Sequence, residues 1–495
     1  MRSSQKGIPT RRISIDFFIL CHQKIILYMD WSVIIPWLLV ILFVIGYIAI
    51  ATEHSLEVDK TVPALVMAAV MWTVLSLAYR HGWIDIIDPE GHVFRHASGE
   101  AGEEGFRNIL LHHLAKTSEI LVFLTGAMTI VELIDLHRGF EIIKSWIKTR
   151  SRRKLLWIIG IIAFFLSAII DNLTATIVLI TLLRKLIKER NDRLWYASLI
   201  VIAANAGGAW SPIGDVTTTM LWIADKISVG GLIEHVVAPS LLNFAVPFAI
   251  ASFFPVFNGK IDRRGLGGPS AEKLELLLSS KTMLFVGLGS IIMVPFFKVL
   301  THLPPYMGMM LALGIVWLVS EIVHPEEDFS KERKHLYSAH TALSRIEMAS
   351  ILFFLGILLA VAALETIVWG KIPVHDQMVD ANALQYLAYW LSTVFPTQEI
   401  VIILLGILSS IIDNVPLVAA TISMFDWPKD HIFWHQIAYS AGTGGSILII
   451  GSAAGVAAMG MEKINFFWYL KRISWLAFLG FMVGFITFWI EHFFI

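Results

Sequence analysis

The chain has 495 residues, of which 56% are hydrophobic and only 16% are charged, and its mean hydropathy is +0.71. Soluble domains carry about 25% charged residues, so this composition excludes an ordinary soluble protein and predicts an all-α polytopic membrane protein whose main partner is the lipid bilayer. The single cysteine, Cys21, excludes an intrachain disulfide and a cysteine-built metal site. No basic surface on a soluble domain points to nucleic acid.

Residues 1–30 form an N-terminal extension of uncertain role. A weak apolar run from Ile13 to Tyr28 is broken by Asp16, His22 and Lys24. It could be a poor first span, a signal-like segment, or sequence upstream of a natural start at Met29, and we favour the last of these.

The first transmembrane half covers residues 31–257. It opens with predicted spans near 31–50, 62–79 and 117–134, the third preceded by a mixed-charge loop through Glu104 and Arg107. The apolar segment 155–183 follows, and its middle is broken by Asp171 and Asn172. Ten basic residues flank this segment, five on each side: Lys148, Arg150, Arg152, Arg153, Lys154, Arg184, Lys185, Lys188, Arg190 and Arg193.

These basic flanks predict that both ends of segment 155–183 lie in the cytoplasm, because Lys and Arg favour that side. Asp171 lies about 16 residues from the basic start, or about 25 Å at 1.5 Å per residue. A re-entrant helical hairpin with its tip inside the membrane fits this depth, provided that protein or water surrounds the tip. One long span with a buried polar kink is the alternative.

The segment 195–224 is apolar at both ends, but its middle is rich in Gly, Pro and polar residues. Such density does not support an uninterrupted helix, so we predict a broken, unwound transmembrane helix. A span near 232–256 completes the first half. The basic stretch 258–281 is the predicted cytoplasmic linker between the halves.

The second transmembrane half covers residues 282–495. Its predicted spans lie near 282–300, 306–323, 346–368 and 474–494, with a broken span at 433–461. The segment 399–425 carries Asp413 and Asn414 and has almost no basic residues at its ends. It therefore predicts a hairpin that enters from the external side.

Several features recur along the chain. The Asp-Asn pair at Asp171 returns 242 positions later (413 − 171), and Gly126 matches Gly356 at 230 (356 − 126). Three glycines return at an offset of 237 (444 − 207): Gly207, Gly208 and Gly214 match Gly444, Gly445 and Gly451. These offsets and the opposite basic bias predict two inverted repeats. Counting three spans back from a cytoplasmic first hairpin places Met29 on the external side, unless residues 13–28 also span the membrane and return the terminus to the cytoplasm.

The polar residues in these segments suggest a cation site. Three carboxylates, Asp171, Asp215 and Asp413, occur beside Asn172, Asn205, Asn414 and the run Thr217–Thr219. Hard cations such as Na⁺ prefer oxygen ligands, and a broken helix adds unpaired carbonyl groups. Ser452 occupies the place that matches Asp215 (452 − 215 = 237), so the predicted site is only approximately two-fold.

The sequence also allows other interpretations of these carboxylates. Each one alone could be an ordinary helix cap. Gly214-Asp215 mimics the Gly-Asp motif of an intramembrane aspartyl protease, but that site needs two facing aspartates sharing one proton, and no Tyr-Asp partner is present in any predicted span. Phosphate or dicarboxylate would want a nearby Arg or Lys, and none lies within the two Gly-rich spans. A cationic substrate is therefore favoured, and proton and cation would compete for the same buried carboxylates.

Three blocks resemble NhaD-type sodium/proton antiporters of the ion transporter superfamily: 170–176, 204–218 and 412–420. Over about residues 31–495 the resemblance implies exchange of cytoplasmic Na⁺ or Li⁺ for external H⁺ by alternating access, without a cofactor. It also implies a homodimer in a bacterial inner membrane and two repeats, each with a hairpin and an unwound span. An anion or metalloid permease of the same fold is the alternative.

The motifs and the resemblance together define the expected cation and proton sites. These sites should comprise Asp171, Asn172, Thr174, Asn205, Asp215, Thr217, Thr218, Ser409, Asp413 and Asn414, with unwound backbone at the six repeated glycines. The second hairpin tip departs from the first because Pro416 stands opposite Thr174. Matching ligands at the two tips are therefore not expected.

Overall fold

The computed structural model describes residues 31–53, 57–95, 100–147, 149–261, 279–323, 339–374, 377–411 and 413–494. The N-terminal extension 1–30 and residues 262–278 of the predicted linker lie outside this range. The first half of the chain contains α1 (Trp31–Ala51), α2 (Thr61–Arg80), α3 (Glu100–Leu136), α4 (Glu141–Trp146), α5 (Arg152–Ile170), α6 (Asn172–Leu186), α7 (Arg190–Ala209), α8 (Val216–Ile223) and α9 (Val229–Ala251).

The second half contains a similar series of helices. They are α10 (Ser279–Thr301), α11 (Pro305–Ile322), α12 (Ala339–Arg345), α13 (Met348–Thr366), α14 (Ala383–Val394), α15 (Gln398–Leu408), α16 (Asn414–Met424), α17 (Ile432–Gly444), α18 (Ala453–Glu462), α19 (Phe466–Arg472) and α20 (Ser474–Phe494). Among the described residues, seven helices are long and apolar enough to cross a membrane, or up to nine if two bent helix pairs each form one span. The chain is therefore a multi-pass, mainly α-helical membrane protein.

Three local features were not predicted. The prediction of a mixed-charge loop through Glu104 and Arg107 is wrong. Helix α3 begins at Glu100, and its first turns form a charged extension that leads into the apolar part of the helix. Two small antiparallel hairpins also occur: β1 (Ile86–Ile87) with β2 (Val93–Phe94), and β3 (Val368–Val374) with β4 (Gln377–Asn382). Helix α14 follows β4 directly, and Asn382 and Gln385 form a capping box at its start.

The helices pack into two layers. The first layer comprises α1, α2, α3 and α10–α13, and the second comprises α5–α9 and α15–α20. The main contacts between the layers are α13 against α16, α3 against α8, and α10 against α5, while α14 touches both α13 and α16. Because helices within a layer contact one another far more extensively, the boundary between the layers is a natural place for a cavity.

The chain is helical on both sides of each predicted break. Helices α5 and α6 are separated by Asp171 alone, whereas α15 ends at Leu408 and α16 begins at Asn414. Residues 210–215 separate α7 from α8, and residues 445–452 separate α17 from α18. All four breaks lie in the second layer and bring polar side chains and free helix ends to its interior.

The same contacts recur at corresponding places in the two halves. Ser167 in α5 donates to the Ala204 carbonyl at 2.6 Å, and Ser409 after α15 donates to the Ala441 carbonyl at 2.8 Å. Gly207 lies against the Phe164 carbonyl, and Gly444 lies against the Gly406 carbonyl; a Cβ at either glycine would clash with that backbone. Glycine is required there because α7 touches α5, and α17 touches α15, through their main chains.

Candidate functional site

Asp215 lies at the centre of the polar residues that the sequence singled out. It precedes α8, and its side chain caps that helix by accepting the Thr217 N–H at 3.1 Å. The Asn172 amide donates to Oδ2 at 2.9 Å, and the Asn414 amide approaches the two carboxylate oxygens at 3.3 and 3.4 Å. Because Asn172 and Asn414 follow the two tip aspartates, both breaks converge on one carboxylate that is 2% exposed.

A second part of this network joins the two unwound spans. Asn172 also donates to Asn205 Oδ1 at 3.1 Å, and Asn205 donates to Ser452 Oγ at 3.0 Å. Ser452 in turn caps α18 by accepting the Gly455 N–H, just as Asp215 caps α8. The residue that matches Asp215 in the second half is thus a neutral cap, as the sequence offset predicts.

Asp171 is held by its own helix. Its two carboxylate oxygens accept the Thr174 N–H and the Thr174 hydroxyl, each at 2.8 Å. Its backbone has φ 82° and ψ 155°, a region that residues other than glycine rarely adopt, and such strain is typical of functional positions. The side chain of Asp171 lines the same cavity as Asp215 and is half-buried.

Asp413 has a different environment. Among the described residues its Oδ1 accepts only the Val415 N–H, at 3.3 Å, and its Oδ2 forms an ion pair with Lys60 Nζ at 3.1 Å. The Lys60 ammonium also lies 4.4 Å from the centre of the Phe353 ring. Sequence reasoning missed Lys60, since a lysine at the start of an apolar span usually marks the membrane interface.

The predicted hydroxyl ligands take different positions. Thr218 donates to the carbonyls of Ser211 and Asp215 in the break before α8, and Ser409 donates to the Ala441 carbonyl of α17, so both hydroxyls bind backbone carbonyls. The Thr217 hydroxyl is buried and has no hydrogen-bond partner among the described residues. Of the three, Thr217 is therefore the one free to serve another ligand.

The repeated glycines frame the network without contributing side chains. Gly207 and Gly444 lie against the hairpins, as described above. The other four bring the two ends of each unwound stretch together or against a hairpin: Gly208, Gly214, Gly445 and Gly451. The expectation of unwound backbone is wrong at Gly207, Gly208 and Gly444, which lie in the last turns of α7 and α17, whereas the other three glycines lie in the breaks.

A cavity of about 80 Å³ at the boundary of the layers contains the three aspartates. Helices α3, α10, α11 and α13 supply its apolar wall, while Asp171, Asp215, Asp413 and the tip asparagines supply its polar wall. Three carboxylates and one ammonium give a formal charge of −2 when all are ionised (1 − 3 = −2). Each carboxylate about 4 Å from a cation contributes about 4 kcal/mol of attraction at an effective dielectric constant of about 20. The cavity favours a small cation over an anion.

Residues 28–427 match the family described as the citrate transporter family, CitMHS. The chain is 43% identical over 455 residues to "Sodium/proton antiporter 1" of Arabidopsis thaliana, covering 91% of this chain and 72% of that relative. It is 42% identical over 458 residues to "Sodium/proton antiporter 2" of the same plant, covering 91% of this chain and 99% of that relative. It is 30% identical over 484 residues to "Na(+)/H(+) antiporter NhaD" of Alkalimonas amylolytica, covering 92% of this chain and 90% of that relative.

Proposed function

This chain belongs to the CitMHS family and, within it, to the NhaD-type sodium/proton antiporters, and we propose that it exchanges cytoplasmic Na⁺ or Li⁺ for external H⁺. Family membership makes it a secondary transporter and not an enzyme, which argues against an aspartyl protease. The observation that supports the ion site best is the convergence of Asn172 and Asn414 on Asp215, inside a cavity that also contains Asp171 and Asp413.

The proposed chemistry is competition for the three aspartates. A dehydrated Na⁺ or Li⁺ would take oxygen ligands from Asp215, Asp171 and Asp413, with the Thr217 hydroxyl and the asparagine amide oxygens completing its shell. Protons arriving from the other side would neutralise the same carboxylates and displace the cation. Exclusive occupancy of this kind is enough to couple the two gradients, provided that the cavity opens to one side at a time.

For alternating access we propose movement of the second layer against the first. The cavity lies on the boundary between them, so a sliding motion would change its exposure while Asn172, Asp215 and Asn414 remain together in the second layer. Inverted repeats with boundaries 31–257 and 282–495 are part of this proposal, and the paired contacts of Ser167 and Ser409 support it.

Both hairpins are proposed to be re-entrant. In the second hairpin, α15 and α16 have 11 residues each, or about 16 Å, which is half of a hydrocarbon core of about 30 Å. In the first hairpin, the support comes from the basic residues at both ends of α5–α6, because re-entry returns both ends to the cytoplasm.

We also propose a homodimer and a bacterial inner membrane as the surroundings of the transporter. A homodimer follows from the family resemblance, and the apolar side chains exposed on α10 and α11, such as Phe296 and Leu318, suit either lipid or a second copy. A bacterial inner membrane also stays a prediction, since the relatives at 42 and 43% identity come from a plant.

The function is tested in everted vesicles from a host that lacks its own sodium/proton antiporters, loaded with a pH-sensitive dye. Addition of Na⁺ or Li⁺ should dissipate an acid-inside gradient, and choline should not. No response from neutral to alkaline pH would overturn the proposal. Uptake of labelled citrate by the same vesicles would instead favour an anion carrier, the activity that the family description names.

A further inference from the structure

The ion pair between Lys60 and Asp413 joins the two layers at the proposed ion site. Lys60 immediately precedes α2 in the first layer, whereas Asp413 caps α16 in the second layer. Their side chains meet in the wall of the cavity, at 3.1 Å. A cation that belongs to one layer is thus bound to a carboxylate of the other.

Lys60 is firmly attached to the first layer. The next residue, Thr61, donates its hydroxyl to the Ala349 carbonyl of α13 at 3.0 Å, and its N–H donates to Asp59 at 2.8 Å. Further along α2, the Trp72 indole N–H donates to the Leu359 carbonyl of α13 at 2.8 Å. The backbone of Lys60 therefore cannot follow the second layer if that layer moves, and only the side chain can adjust.

Asp413 depends on a cation from outside its own helix. Asp171 at the first tip receives two donors from Thr174, but Pro416 at the matching position has no N–H and no hydroxyl. In the described part of this helix, the Val415 N–H is the one donor to Asp413, and it contacts Oδ1. Oδ2 is the oxygen that Lys60 occupies, and it is also an oxygen that a cargo cation in the cavity would need.

We infer that Lys60 is a tethered competitor of the cargo cation: its ammonium and Na⁺ bind Asp413 in turn, and its release frees the second hairpin from the first layer. Glu53, which follows α1, and Glu347, which precedes α13, belong to the same layer as Lys60 and attract its ammonium, so the released ammonium would turn toward them. This inference rests on the proposed function. If Lys60 acts in this way, the layers move only when the ion site holds a transported ion. An exchanger needs this condition, because an empty transporter that changed sides would uncouple the two ions.

The first test uses the wild-type chain. Purified protein is treated with an amine-acetylating reagent in NaCl or in choline chloride, and the modification of each lysine is measured by mass spectrometry. Na⁺ should increase the labelling of Lys60. Lys298 is the matched control, since it too bridges the layers, lies 4.9 Å from the Trp222 ring centre and pairs with Asp225, but does not line the cavity.

The second test compares transport by substituted proteins at alkaline pH, where protons compete least. Lys60→Gln should lower the Na⁺ concentration for half-maximal exchange by about fivefold, a typical size for coupling between two ligands. Lys60→Arg keeps a cation and should stay within about twofold of the wild type on the same scale. Lys298→Gln should not change the half-maximal concentration.

The outcomes separate the two proposals. Wild-type exchange together with Na⁺-independent labelling of Lys60 would overturn the role of Lys60, even if Lys60→Gln failed to fold. An unchanged or higher half-maximal concentration in a well-folded Lys60→Gln protein would do the same. Absence of Na⁺-driven exchange by the wild type would instead overturn the proposed function.

Discussion

The two hairpin tips carry the same Asp-Asn pair but use it differently. At the first tip, Asp171 is held by Thr174 within its own helix, and at the second tip Asp413 is held by Lys60 from the other layer. The asparagines behave alike, because Asn172 and Asn414 both bind Asp215. The two tips therefore share the amides that converge on Asp215, whereas Asp171 is held locally and Asp413 makes a contact between the layers.

The largest effect is expected where the tips converge. Asp215→Asn should reduce Na⁺-driven exchange in vesicles by more than about 100-fold, because losing about 3 kcal/mol of attraction for the cation is enough to do so. Asp225→Asn is the control, since that aspartate is exposed and pairs with Lys429 outside the cavity. Exchange near the wild-type rate in Asp215→Asn would remove Asp215 from the ion site.

The next substitutions compare the two tips directly. Asp171→Asn should raise the half-maximal Na⁺ concentration about 30-fold, and Asp413→Asn only about fivefold, because Na⁺ must displace Lys60 before it gains the attraction of Asp413. Both values come from the same vesicle assay at matched protein levels. A larger effect at Asp413 than at Asp171 would contradict the proposed division of roles.

A smaller effect is expected from the local support of Asp171. Thr174→Val removes the hydroxyl donor but keeps the N–H, and it should slow exchange about fivefold, in line with the loss of about 1 kcal/mol for one hydrogen bond. Thr174→Ser retains the donor and should preserve most of the activity. If both variants were equally slow, packing of the methyl group would matter more than the hydrogen bond.

The smallest effect should be the same in both halves. Ser167→Ala and Ser409→Ala each lose one hydrogen bond to an unwound span, and each should lower the free energy of unfolding by about 1 kcal/mol. Thermal unfolding of purified protein measures this, and the half-maximal Na⁺ concentration should not change. A shift in Na⁺ dependence for Ser409→Ala alone would make Ser409 a site residue, as the family resemblance implies.

Much of the fold could be predicted because membrane spans are continuous apolar segments of about the same length. The predicted spans near 31–50 and 306–323 match α1 (Trp31–Ala51) and α11 (Pro305–Ile322) closely. Segments that are charged or only partly apolar were harder to predict. The start of α3 at Glu100, the hairpin β3–β4 and helix α14 carry no membrane-length apolar pattern, so hydropathy could not define them.

The sequence by itself determined which residues are chemically exceptional. A carboxylate and an amide inside an apolar run are costly in a membrane, so Asp171, Asp413 and Asp215 stand out without any structure. Glycine spacing likewise located the unwound spans, since close contact between backbones requires residues without a Cβ.

Only the tertiary structure decided which of these residues meet and which meet an unexpected partner. Lys60 and Asp413 are 353 positions apart, and Asn205 and Ser452 are 247 apart, so their contacts depend on how whole helices and layers pack. A lysine at a helix start and a serine at a helix cap are ordinary residues in a sequence. They become part of a charged site because the packing places them beside it.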